Sequence, residues 1–87
     1  MLTVASRAVL ADPISVRWTR HAMDKAQQLG FPRHDVEVAL LDRHRERRRN
    51  RGSADWRVTA GRLVVVYEHP DGDDPLVARI VTIWRQR

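Results

Sequence analysis

Apolar and polar side chains alternate along residues 14–18, which is the spacing of a β-strand. Ile14, Val16 and Trp18 recur at every second position, so their side chains point to one face. We predict a strand whose apolar face looks into the domain. Residues 1–13 are mildly apolar but lack the charged start and long apolar stretch of a secretion signal. They predict an N-terminal arm or an extra strand.

After this strand the apolar residues recur every three to four positions. The spacing predicts a helix over residues 20–29, with the hydroxyl of Thr19 capping its first turn and Gly30 ending it. A second helix is predicted over residues 33–42, with acidic residues in its first turn, where the helix dipole favours negative charge. We expect the basic residues that follow to extend this helix by about a turn, before the chain loosens at residues 50–53.

Three further strands are predicted in the second half of the chain. Residues 56–60 alternate, residues 63–67 form a continuous apolar run typical of a central strand covered on both faces, and residues 77–84 are rich in valine and isoleucine. The stretch from 70 to 75 has the composition of a turn. The predicted fold class is α+β, with a strand, two helices and a three-stranded antiparallel meander, both helices on one face, and residues 14–87 as a single domain.

Positive charge is concentrated in one arginine tract, residues 43–51. The tract holds six arginines and one glutamate, and the other basic and acidic residues balance, so it accounts for the whole net charge of +5. Guanidinium groups form paired hydrogen bonds with phosphate, which predicts a nucleic-acid partner. An acidic protein partner, or a solvated loop with no partner, is the alternative. The candidate nucleic-acid-binding residues are Arg43, Arg45, Arg47, Arg48, Arg49 and Arg51, together with Arg57 and Arg85.

The composition excludes several other classes of site. The chain has no cysteine, which removes disulfides and thiolate chemistry and agrees with the cytoplasmic location that we expect. No apolar run approaches the ~18 residues of a membrane span, so we expect no membrane partner. The four histidines show no metal-ligand spacing, the aspartates of residues 71–74 lack that of a calcium loop, and there is no glycine-rich phosphate loop. We therefore expect neither metal nor cofactor.

Several short motifs, taken in order, resemble a known family. They are Arg-His-Ala-Met-Asp-Lys at 20–25, Gly-Phe at 30–31, Asp-Val-Glu-Val-Ala-Leu at 35–40, Gly-Arg-Leu-Val-Val-Val at 61–66 and Arg-Ile-Val-Thr-Ile-Trp at 79–84. In this order and spacing the chain resembles the RelE/ParE superfamily of bacterial toxins, and most of all a small RelE-like family of uncharacterised domains. The resemblance implies the RelE/ParE-like fold of strand, two helices and three strands.

The resemblance spans roughly residues 14–85 and departs from the family pattern at two places. Lys25 replaces the usual arginine, and the arginine tract is richer than the pattern requires. The implied function is the toxin of a bacterial type II toxin–antitoxin pair, a metal-independent endoribonuclease that cuts mRNA, with or without the ribosome. The implied protein partner is a cognate antitoxin. The alternative is a non-enzymatic basic module that binds nucleic acid or inhibits a protein target such as a topoisomerase. Exposed sheet edges would also permit a homodimer.

RNA cleavage of the implied kind needs proton transfer near the ribose hydroxyl or the leaving oxygen, and cations on the phosphate. His21 is the first catalytic candidate, because an imidazole can serve in either proton-transfer role. Lys25 lies one helical turn later on the same face, where it would grip the phosphate. The alternative is a structural histidine packed against Trp18.

The predicted central strand supplies the other catalytic candidates. Tyr67 and His69 are two residues apart and share a face, so either would serve as general acid, whereas a histidine beside a turn is often merely exposed. Arg62 begins this strand and would stabilise a phosphate, or be a solvated arginine. Glu68 points to the other face, as a base or as an ion-pair partner of an arginine. The three tryptophans are predicted core residues, with base stacking as the alternative.

Overall fold

The computed structural model describes residues 15–53, 55–70 and 76–87. In chain order the elements are β1 (Ser15–Trp18), α1 (Arg20–Leu29), α2 (Arg33–Arg43), a 3₁₀ turn (His44–Glu46), β2 (Arg48–Arg49), β3 (Trp56–Ala60), β4 (Leu63–Glu68) and β5 (Val77–Arg85). The predictions made for the N-terminal arm, for Ile14 and for the aspartates of residues 71–74 lie outside the described residues.

The described strands form a five-stranded mixed sheet in the order β1-β5-β4-β3-β2. β1 runs parallel to β5, and the other neighbouring pairs are antiparallel. The predicted α+β class and the antiparallel meander of β3, β4 and β5 are confirmed. A parallel β1–β5 pair requires a long connection between its strands, and both helices lie within it.

Thr19 joins the first helix to the sheet. Its hydroxyl oxygen accepts a hydrogen bond from the backbone N–H of Ala22 at 3.1 Å and donates to the carbonyl of Ile80 at 2.9 Å. α1 ends at Gly30, whose φ of 78° lies in the left-handed region that glycine adopts without steric cost. Both predicted caps are therefore confirmed. No helix among the described residues is long and apolar enough to cross a membrane.

The core lies between the two helices and the sheet face that they cover, which we call the inner face. Its buried members include Ala22 and Ala26 of α1, Val36 and Leu40 of α2, and Val58, Leu63, Val65, Tyr67, Ala78, Ile80 and Ile83 of the sheet. A β-bulge explains how two β5 residues three positions apart both enter this core: Tyr67 pairs with Ile80 and Val66 with Thr82, so Val81 is the extra residue.

The opposite sheet face, which we call the outer face, is also apolar at its centre. Val64 and Val66 are exposed by only 2% and 1%. This burial confirms the prediction that the central strand is covered on both faces. Val66 pairs with Arg57 on β3 and with Thr82 on β5, so the three residues form one row across the outer face.

The arginine tract continues the second helix by about one turn, as predicted, but this turn is 3₁₀ and a short strand that was not predicted follows it. α2 ends at Arg43, the chain makes a single 3₁₀ turn, and Arg48–Arg49 then pair with β3 as an edge strand. The turn buries the imidazole of His44 completely in the core. Extended backbone beyond the turn places neighbouring guanidinium groups on opposite faces of the sheet.

Candidate nucleic-acid interface

The pairing of β2 with β3 divides the arginine tract between the two sheet faces. Arg48 lies opposite Arg57, and Arg49 lies opposite Trp56. Because successive strand residues point to opposite faces, Arg48 and Arg57 belong to the outer face and Arg49 and Trp56 to the inner face. The tract is thus two groups of arginines with different surroundings.

A cleft of about 350 Å³ lies at the β2 edge of the sheet and is lined both by outer-face arginines and by residues at the end of α2. Its lining residues are Arg43, Glu46, Arg48, Arg57, Val58 and Thr59. Arg43 Nη1 lies 3.3 Å from Glu46 Oε1, but the two side chains are 50% and 70% exposed, so solvent weakens this ion pair. Three guanidinium groups against one carboxylate leave the cleft net positive. This arrangement suits the oxygens of a phosphate group.

On the inner face, Trp56 is held between two arginines. The guanidinium carbon of Arg47 lies 4.0 Å from the centroid of the indole ring, and that of Arg49 lies 3.9 Å from it. Two like-charged planar groups at this distance have room only on opposite faces of one ring. Cation–π attraction of roughly 0.5–2 kcal/mol for each arginine therefore ties β2 to β3.

His69 fixes the position of Arg47. His69 Nδ1 lies 2.8 Å from the carbonyl oxygen of Val77, which can only accept, so Nδ1 carries the proton and donates. His69 Nε2 is then the acceptor for Arg47 Nη1, at 2.5 Å. Both ring nitrogens of His69 are thereby engaged with protein groups.

Tyr67 and His44 lie next to Arg47 and His69, and we call these four residues the inner-face cluster. The side chain of Tyr67 is completely buried, and its hydroxyl lies 3.1 Å from Nδ1 of the equally buried His44. Burial raises the pKa of Tyr67 to about 12, although the nearby charge of Arg47 acts in the opposite direction. The hydroxyl therefore stays protonated at neutral pH. His44 was not among the predicted site residues, because its arginine neighbours indicate an exposed segment.

His21 lies at the other side of the sheet, at the start of α1. Its side chain is exposed, and Nε2 lies 3.0 Å from the hydroxyl oxygen of Thr82. Thr82, Val66 and Arg57 form the row described above, and a strand spacing of ~4.8 Å places the two ends of this row about 10 Å apart. His21 and Arg57 therefore flank Val66. Lys25 is half-buried one helical turn after His21.

The structure separates these residues from several others that the sequence analysis selected. Arg62 was predicted to begin the central strand, but it is exposed in the turn before β4. Arg85 Nη2 donates to the carbonyl of Leu29 at 2.7 Å and so holds the end of α1. Glu68 accepts from Arg79 Nε at 2.7 Å, which is the ion-pair alternative considered for it.

Trp18 Nε1 donates to Glu37 Oε2 at 2.8 Å, whereas the ring of His21 is bonded to Thr82. Arg45 and Arg51 are exposed members of the tract outside the cleft and the tryptophan stack. Among the described residues, no group of three or more histidine, cysteine, aspartate or glutamate side chains is placed to hold a metal ion.

Comparison with protein-family models and with curated proteins gives no match. Among solved structures, a chain of the toxin–antitoxin complex RelBE2 from Mycobacterium tuberculosis aligns with a TM-score of 0.59 at 18% identity, covering 85% of this chain and 99% of that chain. The protein has a RelE-like fold. The fold that the sequence resemblance implied is thus confirmed. At 18% identity this similarity establishes the fold but not the function, since one fold can carry several functions.

Proposed function

We propose that this protein is the toxin of a bacterial toxin–antitoxin pair and acts as an endoribonuclease on mRNA. One observation carries the proposal: His21 and Arg57 flank Val66 on the outer face of a RelE-like fold, and the arginine cleft adjoins Arg57. A proton-transfer group and phosphate-binding cations thereby face the same surface. RNA cleavage by its own ribose hydroxyl needs this combination.

The proposed reaction is an internal transesterification. The ribose 2′-oxygen forms a bond to the adjacent phosphorus, and the bond from phosphorus to the 5′-oxygen of the next nucleotide breaks. The 2′-hydroxyl gives up a proton and the leaving 5′-oxygen receives one. His21 would carry the proton in one of these two steps, with its ring oriented by Thr82. Arg57, Arg48 and Lys25 would stabilise the charge that builds on the phosphate.

The inner-face cluster has a supporting role in this proposal. The Tyr67 hydroxyl is buried against His44, and both ring nitrogens of His69 have protein partners. We therefore propose that Tyr67 and His69 hold Arg47 and β2 in place and do not transfer protons. Arg62, exposed at the β3–β4 turn, remains a proposed phosphate contact near the outer face.

We also propose a cognate antitoxin as partner. The solved structure with the similar fold is itself a toxin–antitoxin complex. A net charge of +5 that resides in the arginine tract would complement an acidic segment of such a partner. Antitoxin binding over the cleft would mask the arginines that we assign to RNA.

A non-enzymatic binding module is the second candidate. The observation in its favour is that two of the predicted proton-transfer groups, Tyr67 and His69, are occupied by internal hydrogen bonds. Binding of nucleic acid through the arginine cleft, or inhibition of a protein target such as a topoisomerase, needs no proton transfer. It would produce salt-sensitive binding without cleavage.

Expression from a tightly repressed promoter, with growth and RNA integrity followed together, separates the two candidates. We expect growth arrest with RNA fragmentation, relieved by His21→Ala and retained by His34→Ala, a matched control at an exposed histidine of α2. Purified protein should cut RNA in the presence of a chelator. Arrest with intact RNA would favour the binding module, and cleavage that a chelator abolishes would refute the metal-independent reaction.

A further inference from the structure

The outer face carries a second row of side chains, next to the row that contains Val66. Glu68 lies opposite Arg79 in the pairing of β4 with β5, and Arg79 lies opposite Arg17 in the pairing of β5 with β1. Val66 and Glu68 are two residues apart in β4, so the two rows are separated by about 7 Å. The second row is charged throughout and ends at β1, an edge strand of the described sheet.

The two arginines of this second row differ in their partners. Arg79 Nε donates to Glu68 Oε2 at 2.7 Å, so the charge of Arg79 is compensated. Arg17 is exposed, and no acidic side chain among the described residues forms an ion pair with it. Like charges directly opposite each other in neighbouring strands repel. An anionic group beside Arg17 would relieve this repulsion.

Arg17 lies close to the proposed proton-transfer group. The imidazole of His21, in the first turn of the helix that follows β1, lies 3.0 Å from the hydroxyl oxygen of Thr82. Thr82 is one strand and one row away from Arg17, which corresponds to about 8 Å between their backbones. Arg57 lies on the other side of Thr82, about 10 Å away along its row. His21 is therefore flanked by one cation toward β3 and another toward β1.

This spacing of cations suits a chain of phosphates. The strands that carry Arg57 and Arg17 are separated by three strand spacings, about 14 Å. An RNA strand carries one phosphate in each nucleotide, so neighbouring phosphates can meet the two arginines in turn. With the cleaved phosphate beside His21, a strand that crosses the outer face would reach Arg17 with the next phosphate.

We propose that Arg17 binds the RNA phosphate next to the one that is cleaved, on the β1 side of His21. The inference rests on the proposed function in taking RNA as the substrate, and it extends the phosphate-binding surface from the arginine cleft across the sheet to β1. A phosphate contact carries no sequence information, so Arg17 would fix the position of the RNA strand and leave its sequence open.

The test uses a short single-stranded RNA in which one central ribose keeps its 2′-hydroxyl and every other 2′-oxygen is methylated, so that a single phosphate can be cleaved. In two further substrates a methylphosphonate replaces one phosphate next to the cleaved one, on either side, and removes its negative charge. We expect the native protein to cleave one of these two substrates with a kcat/KM about tenfold lower, because a charged hydrogen-bonded contact is lost.

Two charge-matched variants locate the effect. Arg17→Ala should cleave the unmodified substrate with a kcat/KM about tenfold lower, and the same methylphosphonate should then cause no further loss, since both changes remove one contact. Arg33→Ala, at an exposed arginine of α2, should keep both the native rate and the native loss. A native protein that cleaves all three substrates equally would overturn the proposal, as would a methylphosphonate loss that persists in Arg17→Ala.

The outcomes remain separable from those for the proposed function. Cleavage in which Arg17→Ala and the methylphosphonate act independently would remove the phosphate contact and leave the ribonuclease. If no RNA is cleaved, a slope of log K against log salt concentration that Arg17→Ala reduces by roughly 0.7 would keep the phosphate contact and remove the ribonuclease. If Arg17→Ala changed neither cleavage nor binding of RNA but weakened binding of a glutamate-rich peptide, Arg17 would belong to the surface for a protein partner and the proposal would fail.

Discussion

At the scale of single residues, the most constrained polar groups are those of the inner-face cluster. His44 is bonded to the Tyr67 hydroxyl, and Arg47 is bonded to His69. The second ring nitrogen of His69 donates to the carbonyl of Val77, so the tautomer of His69 follows from its two partners. A buried polar network of this kind is costly to break, because removing one member leaves another without a partner. In the proposed function this cluster holds Arg47 and β2 in place.

Tyr67→Phe should lower the free energy of unfolding at pH 7 by about 1–3 kcal/mol, because the buried His44 loses its hydroxyl partner. The pKa of Tyr67 rises from 10.0 to about 12 on folding, so the protonated hydroxyl contributes stability that is fully present below pH 10 and is lost as the pH rises through 12. We expect the native protein to lose roughly 2–3 kcal/mol over this interval, and Tyr67→Phe to lack that decline.

Two measurements check this prediction. Urea unfolding at neutral and at alkaline pH gives the stability of both proteins. The chain has one tyrosine, so the tyrosinate absorbance titrates Tyr67 alone. A titration midpoint near 10 in the folded protein would contradict the structural interpretation.

At the scale of elements, β2 is a strand of two residues that side chains hold in place. It pairs with β3 through Arg48 and Arg49 only. The stack on Trp56 and the bond from Arg47 to His69 supply further contacts. The position of this edge strand therefore depends on arginine side chains. From the local sequence alone, the same arginines would be assigned to a charged loop.

Arg47→Ala and Arg48→Ala remove the same charge from adjacent positions, and we expect different losses of stability. Arg47→Ala should cost about 1–3 kcal/mol, because it removes a cation–π contact and leaves the acceptor nitrogen of His69 without its donor. Arg48→Ala should stay within about 0.5 kcal/mol of the native protein, as expected for an exposed surface residue. Urea unfolding of the two variants measures the difference, and equal losses would refute the assigned roles.

At the scale of the whole molecule, the sheet separates two kinds of chemistry. The inner face carries the core and the inner-face cluster, the outer face carries the row from Arg57 to Thr82, and the arginine cleft lies at the β2 edge beside Arg57. The RelE-like fold places the start of α1 and the β2 edge on opposite sides of the central strand. A nucleic acid lying across the outer face would reach both His21 and Arg48.

Binding of single-stranded RNA should weaken steeply as salt rises, because each phosphate contact releases condensed counterions. We expect Arg57→Ala to lower the affinity for all sequences alike and to reduce the slope of log K against log salt concentration by roughly 0.7. Arg33→Ala, at an exposed arginine that begins α2, serves as the charge-matched control and should leave the slope unchanged. A reduced slope for Arg33→Ala alone would place the RNA on the helical side.

Local signals in the sequence were sufficient for most of the fold. The first helix has the predicted bounds, Arg20–Leu29, and its caps at Thr19 and Gly30 work as expected, because capping depends on a few neighbouring residues. The strands of the meander could be predicted equally well, since period-two patterning and a continuous apolar run are local features. The bulge at Val81 was not foreseen, because it becomes visible only in the register with β4.

Less of the candidate site could be predicted from the sequence, and His44 shows the reason. Its arginine neighbours predict exposure, yet the 3₁₀ turn buries it against Tyr67, 23 positions along the chain. Trp56 was predicted as a core residue, and it packs at the edge of the core, but its two arginine partners follow from the pairing of β2 with β3. Contacts of this kind depend on strand register, which no local pattern encodes.

The sequence by itself determined the α+β order, the position of both helices and the concentration of positive charge in one tract, because periodicity, capping and charge are properties of neighbouring residues. Only the tertiary structure decided which arginines face the cleft, which ones stack on Trp56, and that His21 and Arg57 share a surface. Those arrangements depend on the register of β2, β3, β4 and β5. Alternation in a strand assigns a side chain to a face only after pairing has set that register.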